Sequence, residues 1–426
     1  MSQNRVAIIA GCRTPFMKAS GAFQHMTALD LGKACVRELV NRTDINVKEI
    51  GEIVYGTAIG KPSTPNIARE IGLTIGIPKS VPAHTVQMAC ATGVRAIASA
   101  AASVALGHAH IAIAGGAESL SDTPIMVSEP FRRIVMEANG KKTQEEKMYT
   151  MMQVKLQDML PVPISISEPY TGLTMGEHCE LMNREWGVTR EEQDDYAYRS
   201  HLLASRALAD GRLKAEIATV FPATDYKAVS EDDIIRRDPD RAKIASLKPA
   251  FDKQFGTITP ANSSPLTDGA SAVLLMSEER ARALGYRPLG YIKTYAFAGL
   301  DPDAGLLLGP AYATAKALAQ AQLSLKEMDL VDMHEAFAGQ VLCNLRAFAS
   351  RKFAEERLDR SEAIGEVDME RFNVCGGSIS VGHPFGATGA RILTTLANEM
   401  NRRNSQYGLL TVCAGGALGA TLIVER

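Results

Sequence analysis

Short apolar, β-branched runs alternate along this chain with longer stretches of helical periodicity. "RVAIIAG" (5–11), "EIVYG" (52–56) and "IAIAGGA" (111–117) near the start read as strands, as do "YIKTYAF" (291–297), "LVDMH" (330–334) and "YGLLTVCAG" (407–415) near the end. Between such runs lie helical patterns, for example "ATGVRAIASAAASVALG" (91–107). The alternation predicts an α/β protein with a mixed, mainly parallel sheet covered by helices on both faces.

The pattern also repeats. "CATGVRAI" (90–97) matches "GATGARIL" (386–393) at an offset of 386 − 90 = 296. "IAIAGGA" (111–117) matches "LTVCAGGA" (410–417), each an apolar strand run breaking at Gly-Gly, and "VKEIGEIVYGTA" (47–58) matches "LKEMDLVDMHEAFA" (325–338) more weakly. Any one match is explicable as chance likeness of Ala/Gly-rich helices. Three in the same order, over roughly 6–120 and 290–424, argue for duplication. Two such βαβαβαββ halves are expected to pack as a five-layered α/β/α/β/α body. Residues 126–249 differ: they are charged and Met-rich, and Pro161, Pro163, Pro169, Pro222, Pro239 and Pro249 interrupt their helical stretches. They read as a long insertion. The expected organisation is therefore a first half from 1–125 and 250–285, a loop domain at 126–249, and a second half at 286–426.

Composition narrows the class. The chain has 426 residues, 46% hydrophobic and 22% charged, and a formal net charge of −2, so it has no global basic field for nucleic acid or an anionic membrane. Its first residues run straight into a strand pattern without a leader-like segment, and no run approaches the roughly 18 apolar residues of a membrane span, which predicts a cytoplasmic protein. The seven cysteines are scattered and odd in number, so free thiols are expected. Without C-x-x-C or H-E-x-x-H spacing, no metal site is expected.

Four positions fall at expected strand ends or sharp turns, where open α/β sheets place their sites. Cys90 opens a helical pattern, where orphan N–H groups and the helix dipole stabilise a thiolate; on its own it reads more readily as a buried packing cysteine. His383, on the turn "GHPFG", is a candidate base for a thiol, or a turn histidine bonded to backbone. Cys413 ends a strand before glycines whose N–H groups can approach an oxyanion, though a plain strand-end cysteine fits equally. His334 follows "LVDM" and aligns with Gly56 in the weak repeat, which makes it a gained side chain or an ordinary surface histidine.

Together, a Cys at a helix start, "HEAF" (334–337), "GHPFGATG" (382–389) and "CAGGALG" (413–419), in this order on a duplicated chain, resemble the thiolase family over essentially its whole length. "HEAF" and the long insertion resemble most the bacterial fatty-acid-oxidation branch, the trifunctional-enzyme β-subunit type. The resemblance implies 3-ketoacyl-CoA cleavage by CoA, with CoA as a substrate and no separate cofactor. A biosynthetic acetyl-CoA acetyltransferase is the alternative. It implies that Cys90 is acylated, His383 takes its proton, and Cys413 is the second acid/base. His334, with His383, would bind the thioester oxygen, while the N–H groups of Cys90 and Gly415 would catch the tetrahedral oxygen. A ketoacyl synthase of the same superfold has no need of Cys413.

On the CoA side the resemblance implies Met175, Gly176, Ser264 and Phe337 along the pantetheine and acyl path, and Lys248 near the nucleotide. Thr174 stands where many thiolases have histidine, Lys248 where many have arginine, and Ala417 where C-x-G-G-G has its third glycine; "QMACATG" also lacks an asparagine three residues before the cysteine. Expected partners are CoA, 3-ketoacyl-CoA, a second or further copies of the chain as homodimer or homotetramer, and a hydratase/dehydrogenase α-subunit. Residues 126–160 carry apolar side chains at helical spacing, among them Ile134, Met148, Met152 and Leu156, and could dock a membrane or a partner, or cover the acyl tunnel. Six basic residues there face five acidic ones, so electrostatic membrane attachment is weak.

Overall fold

The computed structural model describes residues 4–162, 167–223 and 226–426. Pro163, one of the expected helix breakers, lies outside them. The first half runs β1 (Val6–Arg13), a two-residue β2 (Met17–Lys18), α1 (Ala28–Thr43), β3 (Glu52–Gly56), α2 (Ile67–Ile75), β4 (Ala83–Val86), α3 (Thr92–Ala105) and β5 (Ile111–Glu118). After α4 (Glu129–Gly140), α5 (Gln144–Met151), α6 (Met175–Glu185), α7 (Arg190–Ala209) and α8 (Arg241–Ala245), it closes with β6 (Thr267–Ser277) and α9 (Glu278–Ala283). The second half runs β7 (Gly290–Gly299), α10 (Gly309–Ala321), β8 (Leu330–Met333), α11 (Ala338–Ala349), α12 (Arg351–Arg357), α13 (Ser378–Val381), α14 (Thr388–Arg403), β9 (Tyr407–Ala414) and β10 (Leu418–Glu425).

Strand order is β4-β3-β5-β6-β1-β7-β10-β9-β8, with β2 pairing β6. The sheet is mixed as expected, but not mainly parallel. Among the described residues, parallel ladders between strands are confined to β3 with β4 and β5, and to β8 with β9. The last two strands of each half return antiparallel, and a short antiparallel ladder from Val6–Ile292 to Ile8–Gly290 joins the halves. Helix α3 packs on β3 and β5 and reaches β10 of the other half, while α14 packs on β8 and β9 and reaches β1, β5 and β6. The two helices thus form a shared middle layer, with α1 and α2 outside one half-sheet and α10 outside the other. Alanines and glycines permit this approach: a methyl carbon at Gly389 would lie 2.4 Å from the Val94 nitrogen.

Two features of the repeat differ from expectation. Glu52 pairs with Ala112 and Leu330 pairs with Gly408, so β5 and β9 superpose at 408 − 112 = 296, the offset of the helices. The Gly-Gly likeness, at 415 − 115 = 300, is therefore not positional. Gly115 and Gly116 do not break β5, which continues to Glu118; they are bare because a Cβ at Gly116 would meet the Gly386 carbonyl oxygen at 2.1 Å. The second half also lacks a counterpart of β4. A single parallel bridge, Val331 to Phe372, replaces it. Asn373 there has φ 45°, and its side-chain amide accepts from Met333 N–H (2.7 Å) and donates to Met333 O (2.9 Å), doing the work of a strand backbone.

The stretch expected as one insertion at 126–249 divides. Residues Thr123–Ser167 form a compact unit of their own. In it α4 and α5 pack together, Ser128 caps α4 and donates to Asp158 O, and Met126 pairs with Val162. Met136, Met148, Met152, Leu156 and Leu160 are exposed. The remainder belongs to the main body: α6 and α7 pack on α11, α7 packs on α13, and Cys179, Met182 and Tyr196 join a core with Phe337, Val341 and Phe372. Arg13 on β1 grips Asp232 through two hydrogen bonds of 2.6 and 2.8 Å, both side chains fully buried. Among the described residues no helix is long and apolar enough to cross a membrane.

Candidate active site

The approach of α3 and α14 brings their N-terminal turns face to face. Cys90 does not start α3 itself but sits in the 3₁₀ turn Ala89–Ala91 that leads into it; Phe385–Ala387 does the same before α14. Ala89 is left-handed (φ 45°), a conformation that alanine adopts only when its surroundings impose it. Thr92 holds the turn by accepting from Met88 N–H (2.8 Å) and donating to Ala89 O (2.7 Å). Cys90 is half-buried. Burial pushes its thiol up to about 12; the N–H groups of Gly415 and of Cys90 itself, aimed at the sulfur, pull it down, and the Glu118 charge pushes it up. The thiolate expected from the helix start is thus a neutral thiol at rest, because desolvation outweighs the backbone donors.

His383 and His334 are buried, their rings 4.0 Å apart and tilted by 40°. The Cys90 sulfur and one ring nitrogen of each histidine lie within 4.8 Å of one another. The Nδ1 of His383 meets Thr388 Oγ1 at 2.7 Å, and that of His334 meets Ser378 Oγ at 2.8 Å. Both Nε2 atoms are buried and, among the described residues, without a hydrogen-bond partner. Burial and the Arg391 charge lower His383 to about 3; burial, His383 and Arg391 hold His334 well below its ordinary value. Both rings are neutral, so one can accept a proton and the other donate a hydrogen bond.

Cys413 lies one residue before the end of β9 in the buried core, its thiol pushed well up by burial first and then by the neighbouring Cys90 thiol. The chain turns sharply after it, with Gly416 at φ 81° and Ala417 at φ 54°, so the alanine in the third-glycine position keeps the left-handed turn at a cost of about 1 kcal/mol. Glu168 accepts from Gly416 N–H (2.6 Å) and holds this turn, which leaves the neighbouring Gly415 N–H on the Cys90 sulfur.

Of the residues expected on the CoA side, Met175 opens α6 with its sulfur 3.9 Å from where a Gly415 Cβ would sit. Gly176 accommodates the Phe251 ring, whose Cζ would meet a Cβ there at 2.3 Å, and Phe251 stands edge-on to Phe337 at 5.8 Å. Ser264 is half-buried and donates its N–H to Ala336 O (2.9 Å), which lays it along the "HEAF" loop. Thr174 caps α6 through a capping box with Glu177. Lys248 is exposed and, among the described residues, forms no hydrogen bond or ion pair.

Two acids that sequence reasoning missed hold this site together. Glu118 accepts from Thr57 Oγ1, Ala58 N–H, Ile59 N–H and Gly386 N–H at 2.9–3.0 Å, tying the His383 loop to the end of β3. Glu335 accepts from Tyr196, Ser200, Asn373 and Ile379 N–H at 2.7–3.1 Å, tying α7 and α13 to His334. The available signals were an acid at the end of an all-apolar strand and the glutamate within "HEAF".

A half-buried thiol, two neutral imidazoles and a second thiol on a duplicated α/β body fit a site for cysteine-dependent acyl transfer. The Thiolase, N-terminal domain model matches residues 6–279 and the Thiolase, C-terminal domain model residues 286–426, and the chain belongs to the thiolase family. It is 48% identical over 422 residues to the 3-ketoacyl-CoA thiolase of Serratia proteamaculans, covering 99% of this chain and 97% of that one, and 47% identical to that of Pseudoalteromonas translucida with the same coverage. Among solved structures it resembles human mitochondrial 3-ketoacyl-CoA thiolase in complex with CoA (TM-score 0.84, 30% identity, 99% and 98% of the two chains) and Bacillus anthracis acetyl-CoA acetyltransferase (TM-score 0.84, 33% identity, 100% and 99%).

Proposed function

We propose that this chain is a 3-ketoacyl-CoA thiolase that cleaves 3-ketoacyl-CoA with CoA, giving acetyl-CoA and a shortened acyl-CoA. The observation that carries the reading is the convergence of Cys90 with two neutral imidazoles and the Gly415 N–H. His383 Nε2 takes the Cys90 proton as the sulfur attacks the C3 ketone, and the tetrahedral oxygen forms against the N–H groups of Cys90 and Gly415. Collapse breaks the C2–C3 bond. The electron pair passes into the acetyl-CoA enolate, whose oxygen is held by His334 and His383, and Cys413 delivers its proton to C2. A free CoA thiol then takes the acyl group from Cys90. The cycle is redox-neutral, with CoA as substrate. Each oxyanion donor contributes about 3 kcal/mol by analogy with other acyl transfers.

Met175, Gly176, Ser264 and Phe337 line the pantetheine and acyl path in this proposal, and Lys248 meets the nucleotide end. The proposed setting is the cytoplasm, and the proposed assembly a homodimer or homotetramer. The exposed apolar side chains of Thr123–Ser167 would offer a surface to a hydratase/dehydrogenase subunit. The test is thiolysis of 3-ketoacyl-CoA esters from four to sixteen carbons, with the native mass of the purified protein and Cys90→Ala as control. Cleavage extending to the longer esters and abolished in the variant is expected. Activity confined to the four-carbon ester would favour acetoacetyl-CoA formation instead.

A further inference from the structure

Two adjacent imidazoles serve one reaction only if they differ. One must present a lone pair to the Cys90 thiol and the other a proton to an oxygen, so the Nδ1 partners decide which ring does which. Thr388 donates its hydroxyl to Pro384 O (3.1 Å), so toward His383 Nδ1 at 2.7 Å it can only accept. His383 therefore carries its proton on Nδ1 and offers a bare Nε2.

Behind His334 the polarity is reversed. Arg391, which can only donate, sends Nη2–H to Ser378 Oγ at 3.0 Å. The Ser378 hydroxyl proton then has one acceptor within reach among the described residues, His334 Nδ1 at 2.8 Å. That places the His334 proton on Nε2, the buried atom without a protein partner. We propose that Ser378, held by Arg391, is a positioning residue that fixes His334 as an Nε2–H donor, opposite in tautomer to His383.

The same arginine keeps the pair neutral. Arg391 is buried, and its charge disfavours protonation of both rings. Its own field is balanced by Asp332, Glu335 and Glu216, with Arg13 opposing. The groups facing His334 are thus His383, Arg391, Cys90 and, next in the chain, Glu335. An Nε2 that already carries a proton is also a poor ligand for a cation bridging Cys90 and the two histidines.

The proposal rests on the reading of His334 as the enolate-oxygen donor, and two measurements separate the two ideas. Histidine ¹⁵N shifts of the resting wild-type enzyme, assigned with His334→Asn, should show the Nε2–H tautomer for His334 and Nδ1–H for His383. An Nδ1–H tautomer at His334 overturns the proposal whatever the reaction. In the kinetic test Ser378→Ala should lower kcat roughly 100-fold with KM unchanged, the lower end of the loss of one oxyanion donor. An asparagine amide donates without any tautomer to set, so Ser378→Ala should cost little in the His334→Asn background. Equal losses in both backgrounds would make Ser378 merely structural and overturn its positioning role. The Nε2–H tautomer with full activity in His334→Ala, which removes the donor, would instead overturn the enolate-donor reading.

Discussion

Gly389→Ala tests whether the contact of α3 with α14 sets the reacting distance. Gly389 is the second residue of α14, and a methyl carbon there would lie 2.4 Å from Val94 N and 2.9 Å from the Gly93 carbonyl carbon. Ordinary contact begins at 3.4 Å, so the helices must separate by 3.4 − 2.4 = 1.0 Å. The obstruction is helix backbone, which no rotamer change can move aside. Cys90 and His383 sit at the N-terminal ends of these helices, so the displacement reaches the reacting pair directly. A misplacement of about 1 Å costs about 100-fold in rate, and overpacking of this kind costs about 1–3 kcal/mol of stability. Rapid-quench measurement of acetyl-Cys90 formation from acetyl-CoA, beside urea unfolding, reads both. A folded variant that is acetylated at the wild-type rate would refute the idea that this helix contact sets the distance.

Cys413→Ala should still be acetylated on Cys90 by acetyl-CoA yet lose proton exchange at the acetyl methyl; exchange retained in deuterated water would point to another base. Stability should fall with acid in a defined window. His383 (about 3) and His201 (about 4) are depressed by burial from 6.5, and His334 lies well below it, so the unfolded chain binds protons that the fold does not. The contribution of these rings to the unfolding free energy should therefore be complete above pH 6.5 and fall below it, by up to about 1.4 kcal/mol per pH unit for each, while Asp332, raised to about 7 by burial, acts in the opposite sense over the same window. Urea titrations from pH 7 to pH 4 of the wild type beside His201→Gln check this, and equal slopes in the two would contradict a neutral His201.

Local pattern was a reliable guide to the strands. "RVAIIAG", "EIVYG" and "YGLLTVCAG" all fall on strands, and the helix match at offset 296 holds residue for residue, with Ala89–Ala91 on Phe385–Ala387. His334 does extend the strand equivalent to that ending in Gly56. The Gly-Gly likeness misled because glycine records close approach without saying to what. At Gly116 it is the Gly386 carbonyl, whereas at Gly416 it is a left-handed turn. The missing strand was equally hidden, since an asparagine side chain made the hydrogen bonds a backbone would have made.

Thus the sequence by itself determined the alternation of elements, the duplication and the order of four candidate side chains, because periodicity and turn chemistry act over a few residues. Only the tertiary structure decided that Cys90 rests as a neutral thiol, that its neighbouring imidazoles are neutral, and that Glu118 and Glu335 hold their loops. Those properties depend on desolvation and on partners far along the chain, as when Gly386 N–H donates to a carboxylate 268 residues before it. A thiol, an imidazole or a buried acid acquires its chemistry from what surrounds it, and only the folded chain supplies those surroundings.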